Sequence, residues 1–369
     1  MYLNRQYSDK KYEDKYFIMP IKYIKRWEKV LFDQVIDVRS PLEFKEDNIP
    51  TSINLPVLTD KERKYIGTIY KQKNAFTAKK LGASLISKNI AIHIKKEFIN
   101  KPGNWRPLIY CWRGGLRSKS IATVLSEIGW QVTILKGGYK TYRATVNKSI
   151  NNLTKKKKFI VIKGATGCAK TKILHYLDKI GLPILDLEGL ASHKGSLLGN
   201  IPNKPQPNQK LFESQIYEKL KLLNTNFPIF IESESSKIGN LYLPKSILNK
   251  IKKSPAIEIS ANIEARINFL LKDYKKYIQQ ENSFKNLFIH AKQKVSNDIL
   301  KKWKKNFKNK NWYNLAFLLI TEYYDPLYSH NLKLRDNKII KSYNLDSINS
   351  KTLSELSINI KSVINISKY

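Results

Sequence analysis

Cysteine is scarce in this 369-residue chain: there are two, Cys111 and Cys168, and neither sits in a CxxC pair or a Cys/His cluster. That argues against a disulfide framework and against a zinc site, and no set of metal ligands is expected from the thiols. Acidic residues are also few, 30 Asp and Glu against 67 Lys and Arg, so the formal net charge is +37. Part of that charge is a solvated lysine-rich surface; a charge of this size still attracts a polyanion, nucleic acid foremost. Long apolar runs are missing too. Nothing approaches the roughly 18 residues of a membrane span, and Met1 to Lys29, rich in tyrosine and lysine, lacks the apolar core of a signal peptide. No membrane partner is expected, and a reducing cytoplasm is the expected location. Met19 is an alternative start, because the residues before it are polar and unpatterned.

What is present is folded-protein composition, 42% hydrophobic and 26% charged, over a length that allows two cores. The most informative stretch is Ile109-Tyr110-Cys111-Trp112-Arg113-Gly114-Gly115-Leu116-Arg117-Ser118. A short apolar strand ends at a cysteine, a Gly-Gly loop with two arginines follows, and Ser118 is placed to cap a helix through Ala122 and Leu125. A thiol at a helix N-terminus beside Arg113 and Arg117 is expected to be reactive as the thiolate, the nucleophilic form. Gly114 and Gly115 let successive N–H groups converge on an anion or a persulfide-like group. The loop resembles that of rhodanese-like domains, whose cysteine carries a transferable chalcogen. Cys111 and Arg117 also satisfy the Cys-x5-Arg spacing of protein tyrosine phosphatases. The loop alone therefore leaves sulfur transfer, selenium transfer and phosphate ester hydrolysis open.

Upstream, Gln34 to Arg39 reads as a buried strand running into the turn Ser40-Pro41 and a helix start, with Asp37, Arg39 and Glu43 expected in ion pairs or caps. Lys61 to Asn100 is helical in pattern, and Gln131 to Leu135 is a further strand closed by Gly137-Gly138. Alternating strands and helices give an α/β domain over residues 20–145. Val146 to Lys158 turns polar and is read as the boundary.

A second motif follows at once. Phe159 to Ile162 is a buried strand, and Gly164-Ala165-Thr166-Gly167-Cys168-Ala169-Lys170-Thr171 has the length and ending of a P-loop before an amphipathic helix. Such a loop wraps a pyrophosphate in N–H groups (Gly164, Thr166, Gly167), sets Lys170 on its terminal oxygens and offers the Thr171 hydroxyl to Mg²⁺. Ala169 stands where the second glycine is usual, which affects diphosphate affinity. Later strand ends carry the candidate acids Asp186, Glu188, Glu232 and Glu234. Strands with helical connections predict a doubly wound parallel sheet, the P-loop NTPase-like class, over residues 155–330 with a helical extension. Residues 331–369 are read as a partly helical tail. Lys301 to Trp312 interleaves aromatics with lysines. Arg266, Lys301, Lys302, Trp303, Lys304 and Lys305 are candidates to grip phosphates and stack bases, the alternative being an amphipathic helix with its aromatics in the core.

The two loops in one chain, with Asp186-Leu187-Glu188-Gly189-Leu190-Ala191, His193-Lys194-Gly195-Ser196, Glu234-Ser235 with Ile238-Gly239, and Tyr323-Tyr324-Asp325-Pro326-Leu327-Tyr328, resemble the tRNA 2-selenouridine synthases from about Val35 to Tyr328. The resemblance implies replacement of the sulfur of wobble 2-thiouridine (position 34) in tRNA by selenium from selenophosphate, through an S-geranyl intermediate made from geranyl diphosphate. It implies no tightly bound cofactor and a possible link to the enzyme supplying selenophosphate. Cys111 would carry or guide selenium, Arg113 and Arg117 would hold the selenophosphate oxyanion, and Lys170 with Thr171 would hold the prenyl diphosphate. Two places depart from the family pattern: Ala169, and Asn48-Ile49-Pro50-Thr51-Ser52 where the family tends to have His-Ile-Pro-Gly-Ala, read as a structural variation remote from the thiol. The competing readings are an ATP-dependent tRNA sulfurtransferase, a Cys-x5-Arg phosphatase with little use for the P-loop, and a catalytically silent tRNA-binding protein.

Overall fold

The computed structural model describes residues 19–366 apart from 197, 202, 224–225, 280–281, 293 and 333–336. The choice between Met1 and Met19 as the start turns on residues outside that set. The chain divides into two units, Met1–Ala144 and Thr145–Tyr369.

In the first unit, short apolar runs become the strands β1 (Lys22–Ile24), β2 (Gln34–Asp37), β3 (Ile53–Asn54), β4 (Pro107–Tyr110) and β5 (Thr133–Leu135) of one parallel sheet, in the order β1-β5-β4-β2-β3. Every residue of the central β4 is buried, as a strand covered on both faces requires. Ile36, Val38, Ile109, Ile121, Leu125 and Ile134 share its core, and full burial of each such side chain contributes roughly 1.5–3 kcal/mol. The helical pattern after Lys61 resolves into Asp60–Gln72, opened by a Thr59/Glu62 capping box, and Ala75–His93, capped by Asn74. β4 delivers Cys111 at its carboxyl end, in front of the helix Leu116–Glu127.

The second unit contains β6 (Phe159–Lys163), β7 (Ile184–Leu185), β8 (Ile229–Glu232), a small antiparallel hairpin β9 (Lys237–Ile238) and β10 (Leu241–Tyr242), β11 (Ala256–Ala261) and β12 (Ile339–Leu345). Its parallel sheet runs β12-β11-β6-β8-β7, so β6, which leads into the P-loop, is central. The ligand-binding edge of such a sheet is the carboxyl end of its strands. A second core, built around Phe284, Leu287, Leu300, Trp303 and Leu315, holds the helical extension together.

The polar stretch Val146 to Lys158, read as the boundary, begins beside the division at Ala144/Thr145, and the helix Gly138–Lys156 runs through most of it. Its Val146 and Ile150 are buried, so a periodic apolar face underlies the polar residues. One expectation is corrected: of residues 331–369, read as a partly helical tail, the described stretches Ile339–Leu345 and Ser350–Ile366 are built into the second unit. β12 pairs with β11, and the helix Ser350–Ile366 packs Leu353, Leu356, Ile360 and Ile364 against Ile173, Leu174 and Leu177 of the P-loop helix. The edge position of β12 explains its mixed pattern, since most of its side chains are not buried.

Candidate active site

The first unit offers a thiol held by short-range contacts. Cys111 is 3% exposed. Its Sγ accepts from the Gly115 N–H at 3.3 Å and lies 3.2 Å from the Ser118 Oγ. Ser118 does not cap the helix: Gly115 is the N-cap, and Ser118, a turn inside, donates to the Gly115 carbonyl at 3.1 Å while touching the thiol. The loop is short enough that the helix begins at Leu116, which moves the hydroxyl from cap to thiol partner. Gly114 adopts φ +66° and Gly138 φ +57°; a Cβ on Gly138 would strike the Cys111 carbonyl and the Gly114 nitrogen. The Tyr139 and Lys140 N–H groups donate to the Cys111 and Trp112 carbonyls at 2.8 and 3.1 Å, fixing the loop from behind.

The two arginines have different roles. Arg117 is committed to Glu43, its two terminal nitrogens donating to the carboxylate at 2.6 and 3.2 Å. Burial raises the Glu43 pKa, but the Arg117 bonds and the Ser40 N–H outweigh it, and the carboxyl ends below its ordinary value. A guanidinium so paired is not free to hold an oxyanion, which corrects the role expected for Arg117. Arg113 is exposed and has no hydrogen-bond or ion-pair partner among the described residues. Trp112 lies beside Tyr139, ring centroids 5.2 Å apart. Beneath the loop, Arg39 (1% exposed) forms the buried pair with Asp37 at 2.6 Å and stacks 4.0 Å from the Tyr139 ring centroid. The Asn48 to Ser52 variation is not remote from the thiol strand, because the Tyr110 hydroxyl takes up the Ile49 N–H at 3.1 Å and lies 3.0 Å from the Ser52 Oγ.

In the second unit the P-loop curls between β6 and the helix Lys170–Lys179. Gly164 is required by close approach, as a Cβ there would meet the Ile259 carbonyl, and Gly167 by its φ of +88° against Arg266. Lys170 Nζ donates to the Gly164 and Ala165 carbonyls at 2.9 and 3.3 Å, so it lies along the loop. Thr171 Oγ1 is 3.1 Å from both a Glu188 and a Glu232 oxygen.

Those two acids and Glu234 form a cluster whose nearest oxygens all lie within 4.8 Å of one another. Burial first, and Glu234 next, push the Glu188 carboxyl up to about 8; burial and both neighbours raise Glu232 well above the usual range. Glu232 is 1% exposed, and its Oε1 has no hydrogen-bond partner. Three clustered carboxylates, with an orphaned buried oxygen of Glu232 and the Thr171 hydroxyl beside them, fit a hard divalent cation such as Mg²⁺. Sequence reasoning had the individual acids but did not assemble them. Asp186 stands apart, capping Leu187–Ala191 through the Gly189 N–H and binding His175 at 2.8 Å. Gly195 closes over the cluster, at φ +63°, where a Cβ would strike Glu188.

The nucleic-acid candidates divide. Arg266 is buried, its Nε donating to the Thr166 carbonyl at 2.8 Å and its terminal nitrogens to Asp325 at 2.6 and 2.9 Å. It braces the P-loop and faces no polyanion. That also gives Asp325, in the aromatic motif the sequence left without chemistry, a task. Trp303 is fully buried and donates to Glu322 at 3.0 Å, so it cannot stack on a base. Its helix Asn297–Lys308 turns aromatics inward and leaves Lys301, Lys302, Lys304 and Lys305 exposed. Next to Thr166 runs an apolar cleft lined by Leu270, Tyr274, Trp312, Leu319 and Tyr324, among others, about 70 Å³ in volume. No helix among the described residues is long and apolar enough to cross a membrane.

Residues 22–145 match the rhodanese-like domain family, and residues 157–302 match the tRNA 2-selenouridine synthase AAA domain. Similar proteins include tRNA 2-selenouridine synthases from Psychromonas ingrahamii, 31% identical over 83% of this chain and 89% of that protein, and from a Sulfurovum species, 30% identical over 85% and 93%. A third, from Nitrosomonas europaea, is 34% identical over 65% of this chain and 63% of its own length. With both domains matched in order and relatives aligned over most of their length, the chain belongs to the tRNA 2-selenouridine synthase family.

Proposed function

We propose that this enzyme replaces the sulfur of wobble 2-thiouridine in tRNA with selenium from selenophosphate, through an S-geranyl intermediate made from geranyl diphosphate. The observation that carries the geranyl step is the junction at Thr166, where a phosphate loop with its acidic cluster meets an apolar cleft. A ligand with a diphosphate head and a hydrocarbon tail matches both surfaces; ATP matches the first through its phosphates, and its polar ribose does not match the second. The cleft's volume of about 70 Å³ is smaller than a ten-carbon chain needs, so the tail enters as the side chains around Leu270 and Tyr324 part.

In this reading residues 155–330 carry out the alkylation. Lys170 leaves the loop carbonyls for the diphosphate, and loop N–H groups neutralise the charge that grows as the C–O bond breaks and the uridine sulfur takes the geranyl carbon. Bound Mg²⁺, held by Thr171 with Glu188 and Glu232, would supply further charge neutralisation of the leaving diphosphate. Residues 20–145 supply selenium. Arg113 takes the selenophosphate oxyanion while Arg117, with Glu43, orients the loop, and Cys111 guides the donor so that its selenium forms the bond to the base carbon as the carbon–sulfur bond breaks and geranyl thiol leaves; water then cleaves the Se–P bond and phosphate departs. The basic surface attracts the tRNA. A free thiol suits the reducing cytoplasm.

The test is mass spectrometry of nucleosides from a 2-thiouridine tRNA incubated with protein, Mg²⁺ and geranyl diphosphate, then with selenophosphate, with ATP in place of the prenyl donor as control. A geranyl mass gain followed by exchange to selenouridine is expected. Inactivity with geranyl diphosphate and activity with ATP would replace this reading with that of an adenylating sulfurtransferase.

A further inference from the structure

The P-loop sheet carries a second cavity, at the end away from the P-loop. Where β6, β8 and β11 begin, an open pocket of about 530 Å³ is bordered by the C-terminal part of the helix Gly138–Lys156, the helix Lys245–Lys253 and the residues just before the strands. Its lining contains four lysines, Lys155, Lys158, Lys250 and Lys253, and no aspartate or glutamate. Lys155, Lys158 and Lys253 are exposed and have no acidic partner among the described residues. Lys250 is turned inward, donating to the Lys157 carbonyl at 3.0 Å with its ammonium 5.7 Å from the Phe159 ring centroid. The lining also includes the apolar Phe159, Ile160, Pro228 and Pro255 and the amides of Asn151 and Asn249.

Apolar lining, amides and unpaired ammonium groups together suit a nucleoside phosphate. The base would sit against the apolar surface, the amides would meet its polar edge, and the lysines would take the phosphates. Helix C-termini favour a cation in their last turn, but Lys158 lies beyond the helix end, and that effect does not require an empty volume of nucleotide size. We infer that this cavity is a docking site for a nucleotide of an RNA strand, separate from the P-loop; the inference rests on the reading of tRNA as substrate. β6 has five residues, so the cavity and the P-loop lie about 16 Å apart at roughly 3.3 Å per residue. A tRNA easily spans that distance, so the cavity would hold a nucleotide at some remove from the modified base.

The experiment compares binding of a full-length tRNA to the full-length protein and to the triple variant Lys155→Gln, Lys158→Gln, Lys253→Gln across a salt series, with geranyl diphosphate binding by calorimetry as the control. Each lost lysine–phosphate contact lowers the slope of log affinity against log salt by about 1, so the triple variant should lose about 3 and bind at least tenfold more weakly at low salt. Its affinity for geranyl diphosphate should not change. An unchanged slope and affinity would overturn the inference, including the case in which the lysines serve only the helix ends and the variant merely melts earlier. Adenosine monophosphate tests the free-nucleotide source: if it binds the wild type and not the variant while tRNA affinity is equal in both, the RNA assignment fails. If the wild type itself binds no tRNA, the substrate reading falls, and this site with it.

Discussion

The thiol loop and the phosphate loop stand at corresponding places, each at the carboxyl end of the buried strand leading to it, yet they are stabilised in opposite ways. Around Cys111 the charges are already satisfied: Arg117 is paired with Glu43, Arg39 with Asp37, and the loop is pinned from behind by Tyr139 and Lys140. Only Arg113 is left unpaired in that loop. At the P-loop Lys170 rests on backbone carbonyls, and burial with acidic neighbours pushes the carboxyls of Glu188 and Glu232 upward. One region holds a thiol in a fixed geometry. The other carries an electrostatic imbalance that a cation and an anionic ligand would relieve, so ligand should change its stability much more than that of the thiol loop.

The sharpest separation of the two comes from removing each central group. Cys111→Ser should abolish selenium incorporation, with selenouridine in tRNA falling below detection, while tRNA binding and geranylation persist. Selenouridine at wild-type levels in cells carrying only that variant would refute the thiol's role. Lys170→Ala should lower geranyl transfer by about a hundredfold or more, in keeping with loss of a preorganised charge on a leaving group. Geranylation at the normal rate would show that the prenyl diphosphate binds elsewhere.

The pH dependence should also differ between the regions. Glu188 has a folded pKa near 8, above its unfolded value of 4.5. From pH 4.5 upward the unfolded chain releases a proton that the folded protein keeps, so this group's contribution to stability falls until about pH 8 and then levels off. Glu188→Gln should flatten that decline in metal-free protein, as read by denaturant melts over pH 5–9, and a curve that keeps its shape would assign the loss to other groups. Glu43 has a lowered folded pKa, so its contribution is complete above the ordinary carboxyl range and is lost as pH falls through the folded value. Glu43→Gln should therefore cost about 1–3 kcal/mol at pH 7 and much less in acid, because it leaves a half-buried Arg117 without its carboxylate. Equal costs at both pH values would mean that the pair contributes through packing alone.

Both loops were legible in the sequence because their signals are local: an apolar strand, loop residues at fixed spacing, then a helix. What was not legible depends on residues far apart in the chain. Nothing near Arg117 marks Glu43, 74 residues earlier, as its partner, and nothing near Arg266 marks Asp325. Trp303 looked like a stacking platform because lysines surround it in sequence, yet the helix turns them to opposite faces. β12 was unreadable for a different reason: an edge strand half open to solvent has no continuous apolar run.

The two departures from the family pattern give the finest comparison. Both Thr51 and Ala169 adopt left-handed backbone, at φ +67° and +55°, where the family tends to have glycine. A side chain there costs roughly 1–2 kcal/mol, and restoring glycine returns about 0.4–1 kcal/mol of that to the entropy of the unfolded chain. Ala169→Gly should thus stabilise by about 0.5–1 kcal/mol. Thr51→Gly should gain somewhat more, since a β-branched residue crowds left-handed backbone harder than alanine does, though the Ser52 contact to Tyr110 must survive. If strain at Ala169 is relieved when the loop closes on ligand, its glycine variant should gain less with geranyl diphosphate bound than without, whereas Thr51→Gly should gain the same in both. Equal gains at 169 in the two states would mean that the P-loop backbone is as fixed as the thiol loop and that the contrast between them is one of charge alone.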